Sequence, residues 1–340
     1  MMTYIKDVAY YLPPNKVTNE DLKARFPSWN AKRAEKVTGV RERYVENPEL
    51  AASDMSLIAS QRLFDAGRVS KDDIDFVLLV TQSGDYRYPC TAGILQYKLG
   101  LGNSVGAFDI NLGCSGFVYG LLAARSLVAS GAAKNVLLAT VEKTSFLCHK
   151  SDAALAGLFS DAAAATVVSS DGGIAAIGEF DVGTDGSGYD YIYIPVGGSA
   201  MPQADSASPE SPIAGEAGSH PEFANMKGLE VFDFSVKSVP ITISKALERN
   251  KTDIRDIRYF VLHQANKIIL DTIAANMGLP SEKMPTNIAE VGNTSSCSIP
   301  ILLTDLIHGG RGDRLEKGDK LVLCGFGVGL SWGTTVITIQ

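Results

Sequence analysis

Asp109-Ile-Asn-Leu-Gly-Cys114-Ser-Gly-Phe117 decides how this chain is read. The apolar run 105–110 (VGAFDI) leads into it and the apolar run 115–130 leads out. The first reads as a buried strand and the second as a helix, with a tight turn of small residues between them. Cys114 is at the tip of that turn, a strand–nucleophile–helix elbow of the kind that carries serine in many hydrolases. Gly113 and Gly116 leave room for backbone to approach closely. A helix N-terminus presents unpaired N–H groups and the positive end of its dipole. Both favour thiolate over thiol, so the Cys114 pKa is expected to fall. The competing reading of this segment alone is a buried core cysteine.

The same alternation runs along the rest of the chain. Runs 75–80 (DFVLLV), 135–141 (NVLLATV), 259–263 (YFVLH), 320–324 (KLVLC) and 334–339 (TTVITI) are short and continuously apolar. Such runs suit strands covered on both faces. Helical stretches lie between them at 53–66, 115–130, 264–277 and 299–307, the first with a Ser-Asp pair suited to capping. The pattern is α/β. Each half closes on a strand run after an Ala- or Gly-rich turn, 160–168 and 325–339. The chain therefore divides into halves 1–172 and 173–340, with Cys114 in the first. Residues 201–228 are rich in Pro, Ser, Ala and Gly without periodicity and read as a long surface loop or lid.

Composition narrows the function. With 340 residues and 45% hydrophobic content, the chain can bury a large core. A formal net charge of −7 without basic runs argues against a nucleic-acid partner or an anionic membrane surface. No stretch approaches the roughly 18 apolar residues of a membrane span, and no signal peptide is read at the start, so the expected location is cytoplasmic. The five cysteines are scattered, with no Cys-x-x-Cys pair, which speaks against structural zinc and against a disulfide framework.

A cysteine nucleophile usually works with a base. Of four histidines, His263 stands where a strand run leaves the sheet, the place where catalytic groups gather in α/β folds. His149, His220 and His308 occupy polar or helix-terminal settings. Gly292-Asn293-Thr-Ser-Ser-Cys-Ser-Ile-Pro300 is a further polar turn before an apolar helix. Asn293 there either holds the turn or donates its amide to a substrate oxygen. Gly325-Phe-Gly-Val-Gly-Leu-Ser-Trp-Gly333 fails the dinucleotide spacing and precedes a strand, so it reads as a turn bringing a backbone N–H to the reacting centre.

In order, DINLGCSGF, HQAN, GNTSSCSIP and GFGVGLSWG resemble the ketoacyl-ACP synthase III family of the thiolase-like condensing enzymes. Thr38–Arg43 (TGVRER) and Met226–Phe232 (MKGLEVF) add to the resemblance, which covers essentially the whole chain. It implies a five-layered αβαβα fold of two related halves and a homodimer. By motif position Cys114 accepts the acyl group, with His263 and Asn293 as the other two catalytic residues. The backbone N–H groups of Cys114 and Val328 fall on the oxyanion hole. Phe117 and Phe326 fall beside the reacting centre. Tyr88 stands where a Phe is common that closes the neighbouring subunit's acyl tunnel. The implied reaction moves an acyl group from coenzyme A or a carrier-protein phosphopantetheine to Cys114. Malonyl-ACP then decarboxylates, and its enolate attacks the acyl-cysteine to give a β-ketoacyl thioester. No metal or redox cofactor is required. The family's usual coenzyme A adenine residues are replaced by Arg33 and Val37, and its carrier-docking Arg by Ile268, with Lys267 beside it. The alternatives are an acyltransferase that uses the same acyl-cysteine without decarboxylation and a non-catalytic acyl-binding protein.

Overall fold

The computed structural model describes residues 2–202 and 220–340. Nine strands form one sheet: β1 (Tyr4–Tyr11), β2 (Phe76–Val80), β3 (Gly106–Ile110), β4 (Asn135–Glu142), β5 (Ala162–Ser169), β6 (Ala175–Thr184), β7 (Ile257–Leu262), β8 (Lys320–Gly327) and β9 (Ser331–Ile339). Their spatial order is β7-β8-β9-β6-β1-β5-β4-β2-β3. The order contains one pairing scheme twice. β1 pairs antiparallel with β5, β5 antiparallel with β4, and β4 parallel with β2. Equivalently, β6 pairs antiparallel with β9, β9 antiparallel with β8, and β8 parallel with β7. β3 extends the first run through a parallel pairing with β2. Tyr4↔Ala176 and Ile5↔Ala175 are the pairings through which β1 and β6 join the two runs.

Six helices matter for the layering: α1 (Ala52–Asp65), α2 (Thr91–Lys98), α3 (Gly116–Ala129), α4 (Gly228–Arg249), α5 (Lys267–Met277) and α6 (Ser298–Ile307). α1 and α2 cover the outer face of the first half, and α4 with α5 covers that of the second. α3 and α6 touch strands of both halves and so form the middle layer. The two runs of the one sheet lie on either side of α3 and α6, so the layers are helix, sheet, helix, sheet, helix, the five the resemblance implied.

The strand sequences explain this sandwich. Successive side chains on a strand face opposite ways. In β2, Val77 and Leu79 join Met55, Leu63 and Leu95 in an outer core, while Leu78 pairs with Val80 on the inner side against Phe117 and Leu121. In β7, Phe260 and Leu262 face outward, and Tyr259 and Val261 face the middle layer. With both faces covered, no polar side of the strand is needed, so the runs are continuously apolar. Each fully buried Leu or Phe contributes roughly 1.5–3 kcal/mol of transfer free energy.

Two local expectations change. The Ser53-Asp54 pair does not cap α1 from outside, because the N-cap is Ala51. Asp54 reaches back to the Ala51 N–H at 3.0 Å, and Ser53 instead donates to Asp85 at 2.6 Å. α5 starts at Lys267 rather than 264, with Asn266 as N-cap accepting the Ile269 N–H. Of the loop read at 201–228, residues 203–219 lie outside the described residues. Its far end is built: Asn225–Met226 forms a two-stranded ladder with Ile192–Tyr193.

Candidate active site

β3 ends at Ile110, and α3 begins six residues later at Gly116, leaving Cys114 in the turn between. The turn is tight because neighbouring chain lies against it. A Cβ on Gly116 would collide with Val80 Cγ1. Gly327 of β8 has φ +153 and lies so close that a Cβ there would come within 2.8 Å of Cys114 Cβ and 3.0 Å of Cys114 Sγ. Only glycine fits both that backbone and that gap.

Cys114 is 7% exposed. The N–H groups of Val328 and of Cys114 itself lie near enough to its sulfur to act on it, and Ser295 Oγ lies 3.8 Å from it. All three favour the thiolate. Burial outweighs them, with the nearby Glu142 carboxyl acting in the same direction, and the thiol is pushed up to about 11. The expectation of a lowered pKa is therefore overturned: the helix N-terminus is present, but the second half of the chain closes over it and removes water. Near neutrality the resting group is a thiol.

His263 follows directly after β7 and is 2% exposed. Burial holds its imidazole down to about 3, so it is neutral at working pH. Ser298 Oγ lies 2.7 Å from His263 Nδ1 and 2.9 Å from the Ser295 carbonyl. Phe326 packs edge-on to the imidazole, with ring centroids 5.5 Å apart. Asn293 donates Nδ2–H to the Ala265 carbonyl at 3.0 Å and accepts the Ser295 N–H at 2.9 Å through Oδ1. It thus holds the turn and ties it to the segment that carries His263, and its amide retains a second N–H.

Ser295, to which sequence reasoning gave no role, contacts Cys114 and Asn293 directly and reaches His263 through Ser298, while His263 and Asn293 do not themselves line the cavity at Cys114. Ser295 contacts Cys114 through its hydroxyl, Asn293 through its N–H and Ser298 through its carbonyl. It adopts φ +50, a left-handed conformation unusual for serine. Strain of this kind persists where surroundings over-determine it, and it collects at functional sites. Glu142, the last residue of β4, was also missed. It is 1% exposed and receives hydrogen bonds from Ser295 and Ser296. Its one sequence signal is a charge ending an apolar strand.

Cys114, Ser295, Glu142 and Val328 line a cavity of about 240 Å³. Leu147, Leu155, Phe159, Ile192, Ile194 and Met226 supply apolar wall. A mostly apolar cleft with a few convergent polar groups is what a ligand site looks like. Phe117 is fully buried in the middle core, at the first turn of α3. Tyr88 is 87% exposed and does not line this cavity. The Lys267 ammonium pairs with Asp271 at 2.6 Å on the surface of α5. Among the described residues no group of three or more His, Cys, Asp and Glu could hold a metal.

Five layers with a thiol at the start of a middle helix are the layout of thiolase-like enzymes. Two family models match the chain: "3-Oxoacyl-[acyl-carrier-protein (ACP)] synthase III" at residues 108–186 and its C-terminal counterpart at 247–339. A beta-ketoacyl-[acyl-carrier-protein] synthase III of Fusobacterium nucleatum is 35% identical, with 98% of this chain and 97% of that protein covered. One from Clostridium perfringens is 37% identical, with 97% of each covered. A crystal structure of a 3-oxoacyl-(acyl-carrier-protein) synthase III superposes with TM-score 0.92 at 38% identity, covering all of both chains. The chain belongs to the 3-oxoacyl-ACP synthase III family of condensing enzymes.

Proposed function

We propose that this enzyme takes an acyl group from coenzyme A or acyl carrier protein onto Cys114 and condenses it with malonyl-ACP. One observation supports the reading above the others: Cys114, with the Val328 and Cys114 N–H groups near its sulfur, opens onto a mostly apolar cavity. Donors already placed there meet the charge that appears on the thioester oxygen during acyl transfer, without reorganisation at the moment of reaction.

In the second half-reaction the malonyl thioester loses CO₂, and negative charge moves onto its thioester oxygen. Neutral His263, with its proton on Nε2, and the spare Asn293 N–H donate to that oxygen. The enolate carbon attacks the acyl-cysteine, the C–S bond breaks, and a β-ketoacyl thioester leaves. Interactions that strengthen only as charge develops raise the rate of the chemical step. No metal or redox cofactor enters this scheme.

The reading includes a homodimer. β3 is an edge strand of the sheet and carries exposed Phe108; Tyr86 and Tyr88, on the segment between β2 and α2, and Tyr97 of α2 are exposed too. An apolar edge strand is a ready surface for pairing with a second copy. It also includes a cytoplasmic location, which suits five free cysteines. No helix among the described residues is long and apolar enough to cross a membrane.

The test is intact-mass measurement after incubation with acyl-CoA and acyl-ACP thioesters, beside Cys114→Ala, followed by malonyl-ACP. Mass gain on the wild type alone, discharged by malonyl-ACP into a β-ketoacyl product, is expected. An acyl-enzyme that malonyl-ACP leaves intact would mean a plain acyltransferase. No acylation across the panel would remove the catalytic reading.

A further inference from the structure

Glu142 is a carboxyl in an unfavourable place. It lines the Cys114 cavity, yet its side chain is withdrawn from water. Its hydrogen-bond donors are neutral: the Gln82 N–H at 3.3 Å and Ser83 Oγ at 3.4 Å on Oε2, and Ser295 Oγ at 3.4 Å and Ser296 Oγ at 3.1 Å on Oε1. The neighbouring Lys143 turns its ammonium to the carbonyls of Asn47, Pro48 and Leu50. The other titratable groups in reach are the thiols of Cys114 and Cys297, on the turn before α3 and on the turn before α6. Without a cation, burial raises the carboxyl to about 8, so it exchanges its proton close to neutrality.

The acyl-transfer reading rests on Cys114 as nucleophile, and the resting group is a thiol. Its proton must leave as the sulfur attacks. His263 is poorly suited to take it, because burial holds the imidazole far below neutrality and its Nδ1 is engaged with Ser298. Ser295 Oγ is the side-chain hydrogen-bond partner of Cys114 Sγ among the described residues, and the same hydroxyl reaches Glu142 Oε1. The left-handed backbone of Ser295 and its ties to Asn293 and Ser298 hold the hydroxyl between sulfur and carboxylate.

We infer that Ser295 and Glu142 are the proton path of Cys114 in acyl transfer. Ser295 Oγ–H passes its proton to Glu142 Oε1 while Ser295 Oγ takes the proton of the Cys114 thiol. The sulfur lone pair forms the new C–S bond to the acyl carbon. The substrate's own C–S bond breaks, and its leaving sulfur receives the proton back along the same two groups. Protons and charge balance: thiol plus thioester gives acyl-cysteine plus thiol. When Cys114 leaves during condensation, the path runs in reverse to reprotonate it. Ser295 touches the reacting atom. Glu142 acts through it and is a positioning residue.

The experiment is single-turnover acylation with an acyl-CoA or acyl-ACP that the wild type accepts, read by quench and intact mass from pH 6 to 10. The wild-type rate should climb through about pH 8 as Glu142 becomes a carboxylate. Glu142→Gln keeps the shape but cannot take a proton. It should acylate at least about tenfold more slowly at pH 8 without the limb centred near pH 8, its remaining rise following only the thiolate fraction, in the range of general acid–base effects, yet reach full acylation at long times. Glu142→Asp should restore the limb. Ser295→Ala, which leaves the carboxyl in place, should slow acylation likewise. Acylation of Glu142→Gln within twofold of wild type, or equally slowed at every pH with the limb retained, would overturn the relay while leaving the condensing reading intact. A wild type that accepts no acyl group would instead remove the reading beneath it and the relay with it.

Discussion

Ser298 Oγ lies 2.7 Å from His263 Nδ1, and the direction of that hydrogen bond decides which ring nitrogen carries the proton. The serine has one hydrogen and two acceptors in reach, Nδ1 and the Ser295 carbonyl at 2.9 Å. Given to Nδ1, it fixes the tautomer with the proton on Nε2, the form that can donate to a thioester oxygen. Given to the carbonyl, it lets Nδ1 hold the proton and leaves Nε2 as an acceptor. Ser298→Ala removes the choice. The expected outcome is CO₂ release from malonyl-ACP slowed by about tenfold or more, approaching the 10²–10³ typical of a lost oxyanion donor.

Gly327 is the floor on which the Cys114 side chain rests. A methyl group there would displace the Cys114 side chain, and φ +153 adds backbone strain. Gly327→Ala should cut the acylation rate by about 10²-fold, the scale of an ångström's misplacement of a reacting group. Thermal unfolding recorded in parallel separates this from collapse of the fold.

The raised thiol pKa gives a pH prediction with a definite sign. A thiol near 11 is protonated through the neutral range, and its thiolate fraction rises about tenfold per pH unit up to that value. Iodoacetamide alkylation of Cys114, followed by peptide mass, should therefore still be climbing at pH 9–10. A plateau by pH 8 would show a low-pKa thiolate and contradict the dominance of burial.

Leu302 of α6 is fully buried in the middle layer. Leu302→Ala should lower unfolding free energy by about 2–5 kcal/mol, measured by urea titration. Because α6 follows directly on the turn with Asn293 and Ser295, condensation activity should fall at denaturant concentrations below the unfolding midpoint.

Tyr88 is exposed in the single chain, on the segment between β2 and α2. If a second copy pairs there, the phenol meets the partner. Tyr88→Ala should then widen the range of acyl chains that load Cys114 toward longer ones, scored by the mass panel. An unchanged preference would leave the residue outside any tunnel.

Much of this was legible in the chain, and the failures at the site share one cause. β2, β4 and β7 were readable because an inner and an outer core both want apolar residues, leaving unbroken runs such as FVLLV. β1 was not read, since Lys6 and Asp7 interrupt its pattern, and α4 was not read across its internal Pro240. Cys114 could be placed at a helix start from neighbouring residues alone. Its pKa could not, because burial comes from chain far away. Ser295 is 181 positions from the sulfur it touches and 153 from Glu142. A serine in a serine-rich turn and a glutamate ending a strand carry no local mark of that meeting.

The sheet topology has a consequence for how the protein is made. Synthesis delivers Cys114 well before Ser295, Gly327 and Val328, all of which belong to the second half of the chain. Until that half docks, the cysteine has neither the bridging hydroxyl nor the Val328 N–H, and it is an ordinary thiol on a nascent chain. Chemical competence therefore comes last, with the docking of the C-terminal strands, so an unfinished polypeptide is spared from loading acyl groups it could never discharge.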